Sequence, residues 1–445
     1  ITYVFLIYKD HFKLSQISYL SQKPDRDNIF KNFPKRLDLN KIRISNLLKK
    51  LGNPHLNIPP VIHVAGTNGK GSTVAYIKAG LESKGDRVHV FTSPHLINVT
   101  ERIQIAGKEI SKKYFEVLLA ECIKINDREE LSFFELITAV AFLAFSRNKA
   151  EWTILEVGLG GRLDSTNVIK STYLSIITPI AMDHQEFLGN NIKKIALEKG
   201  GIIKENSNLI ISKQPSSALK VLKKISKNKN CDTTIYGRDF KNKKNNKSFL
   251  YSTNEKKIVL PLPLLKGSHQ IDNATVAITA LRKLKCRKKN LIDAVTNVYW
   301  PGRLQKIEKG KFSPKNLGIS GKIFIDGGHN SSAGVALSKW IKIQKRESKF
   351  YIIIGMMKNK NIEEFLKPLN SYINKLVAIN IPLEKNSYEP DEILNRSKKL
   401  GISSKVSDSL EKALKFVSKD NSSKPKTVLI TGSLYLIGYF LEINN

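Results

Sequence analysis

From Leu37 onward, short runs of consecutive apolar residues alternate with longer stretches in which apolar and polar positions recur at helical spacing. That rhythm belongs to an α/β protein with a mainly parallel sheet. The apolar runs predict strands at Val61–Ala65, Val88–Phe91, Trp152–Val157, Leu174–Thr178 and Leu209–Ser212. A helix is expected over Ser132–Phe145, where Ser132 and Glu135 form a capping box ahead of apolar positions 136, 137, 140, 143 and 144. Another is expected over Asn273–Leu284. Tyr299-Trp300-Pro301-Gly302-Arg303 breaks the pattern, which divides the chain into units 1–300 and 301–445. Beyond the break a second α/β series predicts strands at Lys322–Ile325, Phe350–Ile354, Lys375–Ile379 and Thr427–Thr431. Three of these run into small or polar turns, such as Asp326-Gly327-Gly328-His329-Asn330, and ligands in open α/β sheets gather at such ends.

Composition narrows the picture only a little. A chain of 445 residues holds two or three domains, and 41% hydrophobic with 25% charged residues is ordinary for a globular enzyme. The apolar stretch Ile1–Tyr8 is too short to span a bilayer and lacks a basic flank. Residues 1–36 read as an irregular leader, and with no methionine at position 1 the native start is expected to lie elsewhere. Cys122, Cys231 and Cys286 form neither a metal spacing nor a disulfide framework, which implies a reducing cytoplasm. The formal charge of +35 comes from lysine spread along the whole chain. Its densest run, Leu222 to Lys247, is expected to be a solvated loop surface and not a nucleic-acid site. Such a charge would still attract anionic substrates.

Chemistry enters at Val61–Val74, an apolar strand running through a glycine-rich turn into a helix expected from Val74 to Ser83. Gly66, Gly69 and Gly71 let successive N–H groups face one anion at a helix N-terminus. Lys70 would reach the terminal phosphates, and Ser72 or Thr73 would supply a hydroxyl to magnesium. The ordinary Walker spacing is not met, because Val64 stands where it has glycine and Gly71 where it has a hydroxyl.

Four further stretches follow in order. They are Thr92-Ser93-Pro94-His95-Leu96 with Thr100-Glu101-Arg102-Ile103, then Leu155-Glu156-Val157 leading to Gly158-Leu159-Gly160-Gly161-Arg162-Leu163-Asp164-Ser165-Thr166-Asn167, then Asp183-His184, then Glu198-Lys199-Gly200-Gly201-Ile202. Singly, each has a bland reading: a turn before Pro94, a strand-end carboxylate, a structural histidine, a surface lysine. Together, with Leu51-Gly52-Asn53-Pro54-His55-Leu56 before the loop, they resemble the folylpolyglutamate synthase and dihydrofolate synthase family of the Mur ligase superfamily. The Gly-Thr-x-Gly-Lys-Gly-Ser/Thr loop is likewise the Mur-type version.

The resemblance implies a P-loop mononucleotide-binding domain with a mainly parallel sheet, joined to a smaller Rossmann-like α/β ligase domain. It implies that Gly66, Thr67, Asn68, Gly69, Lys70, Gly71, Ser72 and Thr73 hold ATP phosphates, with Asn273 at the adenine, Arg303 at the phosphates and Asp326 at the ribose or phosphates. Two magnesium ions are implied, held among Ser72, Ser93, Glu156, His184 and a carbamylated Lys199, while Lys70, Lys199 and His329 would act in catalysis. Small departures from the family pattern stand at Ser165, Ser331 and Lys358-Asn359-Lys360. Leu37, Asp38, Leu39, Arg102, Phe134, Glu135, Leu163, Asp164 and Ser165 resemble the dihydropteroate-site segments of bifunctional members. Phe134 would stack on a pterin, and Asp38 or Asp164 would accept its ring N–H groups. The implied activity is a bifunctional ATP-dependent amide ligase, working as a cytoplasmic monomer on ATP, L-glutamate and dihydropteroate or a reduced folate, without nucleic acid or membrane. Alternatives are a monofunctional folylpolyglutamate synthase, a Mur-type ligase on another carboxylate, and, more distantly, a nucleic-acid-associated P-loop ATPase.

Overall fold

The computed structural model describes residues 40–445 apart from 128, 345–347, 383 and 421–422. Leu37, Asp38 and Leu39 lie outside the described residues. An eight-stranded sheet runs in the order Lys108–Glu109, Ile103–Ile105, Val88–Phe91, Trp152–Glu156, Val61–Ala65, Leu174–Ile177, Asn208–Ile211 and Asp232–Ile235. The first three strands pair antiparallel and the rest pair parallel. Val61–Ala65 is buried along its whole length, as expected of a continuous apolar strand covered on both faces. One face is covered by helices Lys70–Lys84, Ser268–Lys283 and Lys288–Thr296, and another cluster packs under Ile42–Lys50, Lys112–Asn126 and Phe133–Ser146.

The helix Phe133–Ser146 follows the expected boundary, and Ser132 and Glu135 do form the capping box. The phosphate-loop helix opens earlier than expected, at Lys70, directly after Gly69 in the left-handed region (φ 82°). Asn273 lies inside a helix that begins at Ser268, not at its start. The lysine-rich stretch from Leu222 to Lys247 is not a loop. It comprises the end of helix Ser216–Asn228, the strand Asp232–Ile235, and Phe240–Lys244 of a three-stranded antiparallel sheet with Ser248–Thr253 and Lys257–Pro261. Its lysines are solvated because Leu222 and Ser226 form the buried side of the helix, while Lys223, Lys224 and Lys227 face out.

A six-stranded sheet occupies the chain from Gln305 onward, in the order Gln305–Ile307, Gly321–Asp326, Lys426–Thr431, Lys349–Ile354, Lys375–Ala378 and Ser404–Val406. Only the Gln305–Ile307 pairing is antiparallel. The fold is thus α/β, with two mainly parallel sheets and the small antiparallel one beside them. Among the described residues no helix is long and apolar enough to cross a membrane.

Leu96 joins the two parts. It belongs to the loop after Val88–Phe91 yet packs with the core of the six-stranded unit. There it meets Gly302 and the C-terminal helix Leu434–Asn444, where a Cβ at Gly438 would lie 1.9 Å from the Leu96 carbonyl oxygen. The loop is itself held firmly, since the Glu101 carboxylate accepts from the backbone N–H groups of Leu96, Ile97 and Asn98 at 2.7, 2.8 and 2.7 Å.

Candidate active site

Sheet register brings the key residues together. Val64 stands opposite Glu156, and Ala65 opposite Ile177, so the glycine loop, Glu156 and the Thr178–His184 segment emerge side by side. Glycine is required at position 66 by φ 152° and by Thr178, whose Oγ1 would lie 1.9 Å from an added Cβ. Thr67 anchors the loop by donating to Ala181 O and accepting from Ala181 N, both at 3.1 Å. Gly71 lies against the Trp300 indole, which would stand 2.6 Å from a Cβ at this position, so the linker between the two units sits directly on the loop helix. Asn68 Nδ2 and Thr73 Oγ1 are buried with no hydrogen-bond partner among the described residues. These are polar groups of the kind an anionic ligand satisfies.

Lys70 and Lys199 both donate to the Gly66 carbonyl, at 3.2 and 2.9 Å. Burial, and then the neighbouring Lys70, lower the Lys199 pKa to about 7. Glu156 is buried and accepts from Ser93 N at 3.2 Å. Burial raises its pKa, against the opposing pull of Lys70, Arg303 and Arg102. A buried carboxylate beside a hydroxyl residue suits a hard cation. Desolvation, and then Lys360, lower the His184 pKa to about 4, and the residue's backbone is left-handed (φ 50°, ψ 42°) at the start of Gln185–Leu188. Among the described residues no three His, Cys, Asp or Glu side chains form a metal-sized cluster.

From the second sheet, Asp326 ends its strand and accepts from Leu304 N and Gly328 N at 2.9 and 2.8 Å. Arg303 lies within electrostatic reach of Glu156 and His329. His329 Nδ1 bonds the Gly327 carbonyl at 2.8 Å, and burial followed by Lys360 lowers its pKa to about 4. Three residues absent from the expected set close this side. Asn330 donates from Nδ2 to Asn68 Oδ1 and Asp183 Oδ2, both at 3.1 Å. Lys360 makes a 2.6 Å ion pair with Asp183 and stands 3.4 Å from His184 Nε2. Desolvation notwithstanding, Lys360 and the neighbouring histidines hold the Asp183 carboxyl well below the usual range. In the sequence Asp183 stands out only as the neighbour of His184, because its partners lie more than a hundred residues away, where no local spacing reveals them.

Six of the residues expected at the acceptor site are described: Arg102, Phe134, Glu135, Leu163, Asp164 and Ser165. Phe134 packs against Gly158 and Phe91, with ring centroids 5.8 Å apart in the latter pair. Arg102 is buried, donates from Nε to His95 Nδ1 at 2.9 Å and lies over the Phe133 ring. Glu135 serves its capping box and pairs with Arg43 at 3.2 Å. Leu163 is half-buried and Ser165 buried in the loop that Asp164 caps. Both Asp164 oxygens accept from that loop: Leu159 N on one side, Thr166 N and Oγ1 on the other. Thr166 in turn bonds His63 Nε2 at 2.9 Å, and burial lowers the His63 pKa to about 3.

This arrangement has counterparts among known proteins. The Mur ligase middle domain matches residues 64–281, and the dihydrofolate synthetase C-terminal domain matches residues 311–443. The chain is 31% identical over 430 residues to a dihydrofolate synthetase of Saccharomyces cerevisiae, covering 92% of this chain and 98% of the yeast one. It is 31% identical over 422 residues to a dihydrofolate synthase/folylpolyglutamate synthase of Bacillus subtilis, covering 89% and 92%. The structure of E. coli FolC in complex with DHPP and ADP superposes with a TM-score of 0.83 at 27% identity, covering 96% of each chain.

Proposed function

Because the chain belongs to the dihydrofolate synthase/folylpolyglutamate synthase family of Mur-type ligases, we propose that it joins L-glutamate to dihydropteroate and to reduced folates at the expense of ATP. The observation that carries this reading is the juxtaposition of Lys70, Glu156 and Lys199 with Asp183, Lys360 and Asn330 across two α/β units. Residues 1–300 would bind ATP and the acceptor, and residues 301–445 would bring glutamate and close the site. The ADP held by E. coli FolC supports the nucleotide assignment.

In the proposed reaction the acceptor carboxylate attacks the γ-phosphorus of ATP, releasing ADP and leaving an acyl phosphate. The glutamate amine then attacks the acyl carbon, phosphate departs, and an amide remains. Lys70 and the loop N–H groups orient the phosphates, and Arg303 adds positive charge on the opposite side. Magnesium, held by Ser72 or Ser93 with Glu156, His184 and a carbamylated Lys199, would neutralise charge on the transferring group. A free Lys199 ammonium would repel both Lys70 and the cation. Conversion to a carbamate would make it an anionic ligand. Asn330, Lys360 and Leu96 would hold the two units together and keep water from the acyl phosphate. Phe134 and Arg102 would line the acceptor side. Asp164, Leu163, Ser165 and Glu135 would shape that side through the loop and helix they fix. The three free cysteines favour a reducing cytoplasm.

A second reading, dihydrofolate synthetase activity alone, is favoured by the C-terminal match and by the yeast relative. Both readings are tested by ADP release with purified protein, ATP and glutamate, varying only the acceptor. Release with dihydropteroate and with tetrahydrofolate supports bifunctionality. Release with dihydropteroate alone leaves the narrower activity, and release with neither refutes the ligase reading.

A further inference from the structure

Helix Ser268–Lys283 runs alongside the phosphate-loop helix Lys70–Lys84, and the two share one core. Gln270 and Asn273 are three residues apart and therefore neighbours on one helix face. Asn273 Nδ2 donates to Gln270 Oε1 at 3.2 Å, and Gln270 Nε2 donates to Ser72 Oγ at 3.2 Å. Ser72, Gln270 and Asn273 are each at most 5% exposed. Asn273 also lies against the loop itself, since a Cβ at Gly69 would stand 2.4 Å from its Oδ1. The Tyr76 hydroxyl approaches Gln270 Oε1 from below at 3.5 Å, so the amide is enclosed by groups of known polarity.

We propose that Gln270 is a positioning residue that couples recognition of the nucleotide base at Asn273 to the setting of the Ser72 hydroxyl at the phosphates. The inference rests on the reading of Asn273 and Ser72 as nucleotide contacts. A primary amide has one accepting end and one donating end. With its oxygen committed to Asn273 Nδ2, Gln270 fixes which way the Asn273 amide faces, leaving Asn273 Oδ1 and its second N–H for the base. An asparagine amide so oriented matches the exocyclic amine and N7 of adenine. The other end of Gln270 supplies an N–H to Ser72 Oγ, which leaves the serine proton free to donate toward a phosphate oxygen. Rotating Gln270 by half a turn would require both partners to reverse their roles together. Base and phosphate recognition therefore share one switchable group.

The test uses the full chain and compares binding of a non-hydrolysable ATP analogue with that of its hypoxanthine counterpart by calorimetry, alongside the rate of ADP release. Gln270→Leu removes both bonds and should reduce the adenine-over-hypoxanthine preference by about tenfold. Gln270→Glu has nearly the same shape, still accepts from Asn273 and no longer donates to Ser72. It should keep the preference within about twofold while ADP release slows about tenfold or more. The proposal is overturned if Gln270→Leu keeps the wild-type preference, or if both variants lose preference and rate equally with a lowered melting temperature, as a purely structural role predicts. Should the leucine variant not fold, the glutamate variant decides: losing the base preference, or releasing ADP at the wild-type rate, sinks the coupling. Asn273→Ala with undiminished affinity for the ATP analogue would instead refute the underlying nucleotide assignment.

Discussion

Gly438→Ala is expected to disable the enzyme from a position that touches no substrate. The added methyl would lie 1.9 Å from the Leu96 carbonyl oxygen, where about 3.4 Å is the start of ordinary contact, so the surfaces must part by roughly 1.5 Å. Leu96 has little freedom to retreat, because three backbone N–H groups around it are committed to Glu101. The C-terminal helix must move instead, and with it the unit that carries Arg303, His329, Asn330 and Lys360. A 1 Å misplacement of reacting groups costs about a hundredfold in rate, or about 2.7 kcal/mol of barrier. Unfolding is not required, since the strain is relieved by separating two units, and alanine is the better helix former by about 0.5–1 kcal/mol. The predicted signature is kcat for ADP release down about a hundredfold, with a melting temperature within a few degrees of wild type. A kcat within twofold of wild type would refute the argument that this contact sets the catalytic alignment.

Lys70→Ala and Glu156→Ala should each lower turnover by about a hundredfold or more in a folded protein, checked by ADP release and circular dichroism. Lys199→Ala should be nearly inactive and partly restored by short carboxylates in the assay; no restoration of the variant, together with full wild-type activity in bicarbonate-free buffer, would count against the carbamate. Carbamate forms only from the neutral amine, so with a Lys199 pKa of about 7 its occupancy should rise with pH through 7 and fall below it, readable as 13C-carbonate labelling. His63 sets an acid limit: the unfolded chain takes up its proton below about 6.5 and the folded chain only near 3, so stability is complete above 6.5 and declines as pH falls. At pH 5 the loss from this residue is about 2 kcal/mol, and His63→Gln should flatten that part of a urea-melt pH profile.

Much of this architecture is written locally. Val61–Ala65, apolar but for His63, and Thr427–Thr431, apolar or threonine throughout, are short runs buried on both faces, so their strands are legible without knowledge of partners. Ser132 and Glu135 mark their helix for the same reason, as the cap is satisfied within four residues. The stretch Leu222–Lys247 is opaque because only a few of its side chains are buried, and its strands gain their order from pairing outside it, Asp232–Ile235 with Asn208–Ile211 and Phe240–Lys244 with Ser248–Thr253. Lys360 is likewise invisible: it sits in the polar run Lys358-Asn359-Lys360, and its partner Asp183 is reached only when two sheets meet. Asp164 is legible as a loop residue bonded to Thr166 two positions on, whereas the further bond from Thr166 to His63 is not, since His63 stands on a strand a hundred residues earlier.

His184 holds a left-handed backbone at φ 50°, a conformation that costs a side chain bearing a Cβ on the order of 1 kcal/mol relative to glycine. Selection for thermal endurance alone would therefore favour glycine at this point, while the metal-binding role proposed for His184 would favour the imidazole. The two pressures diverge at a single codon. A population of variants sorted only for heat resistance should enrich His184→Gly and, in doing so, accumulate well-folded proteins that lack the proposed metal ligand.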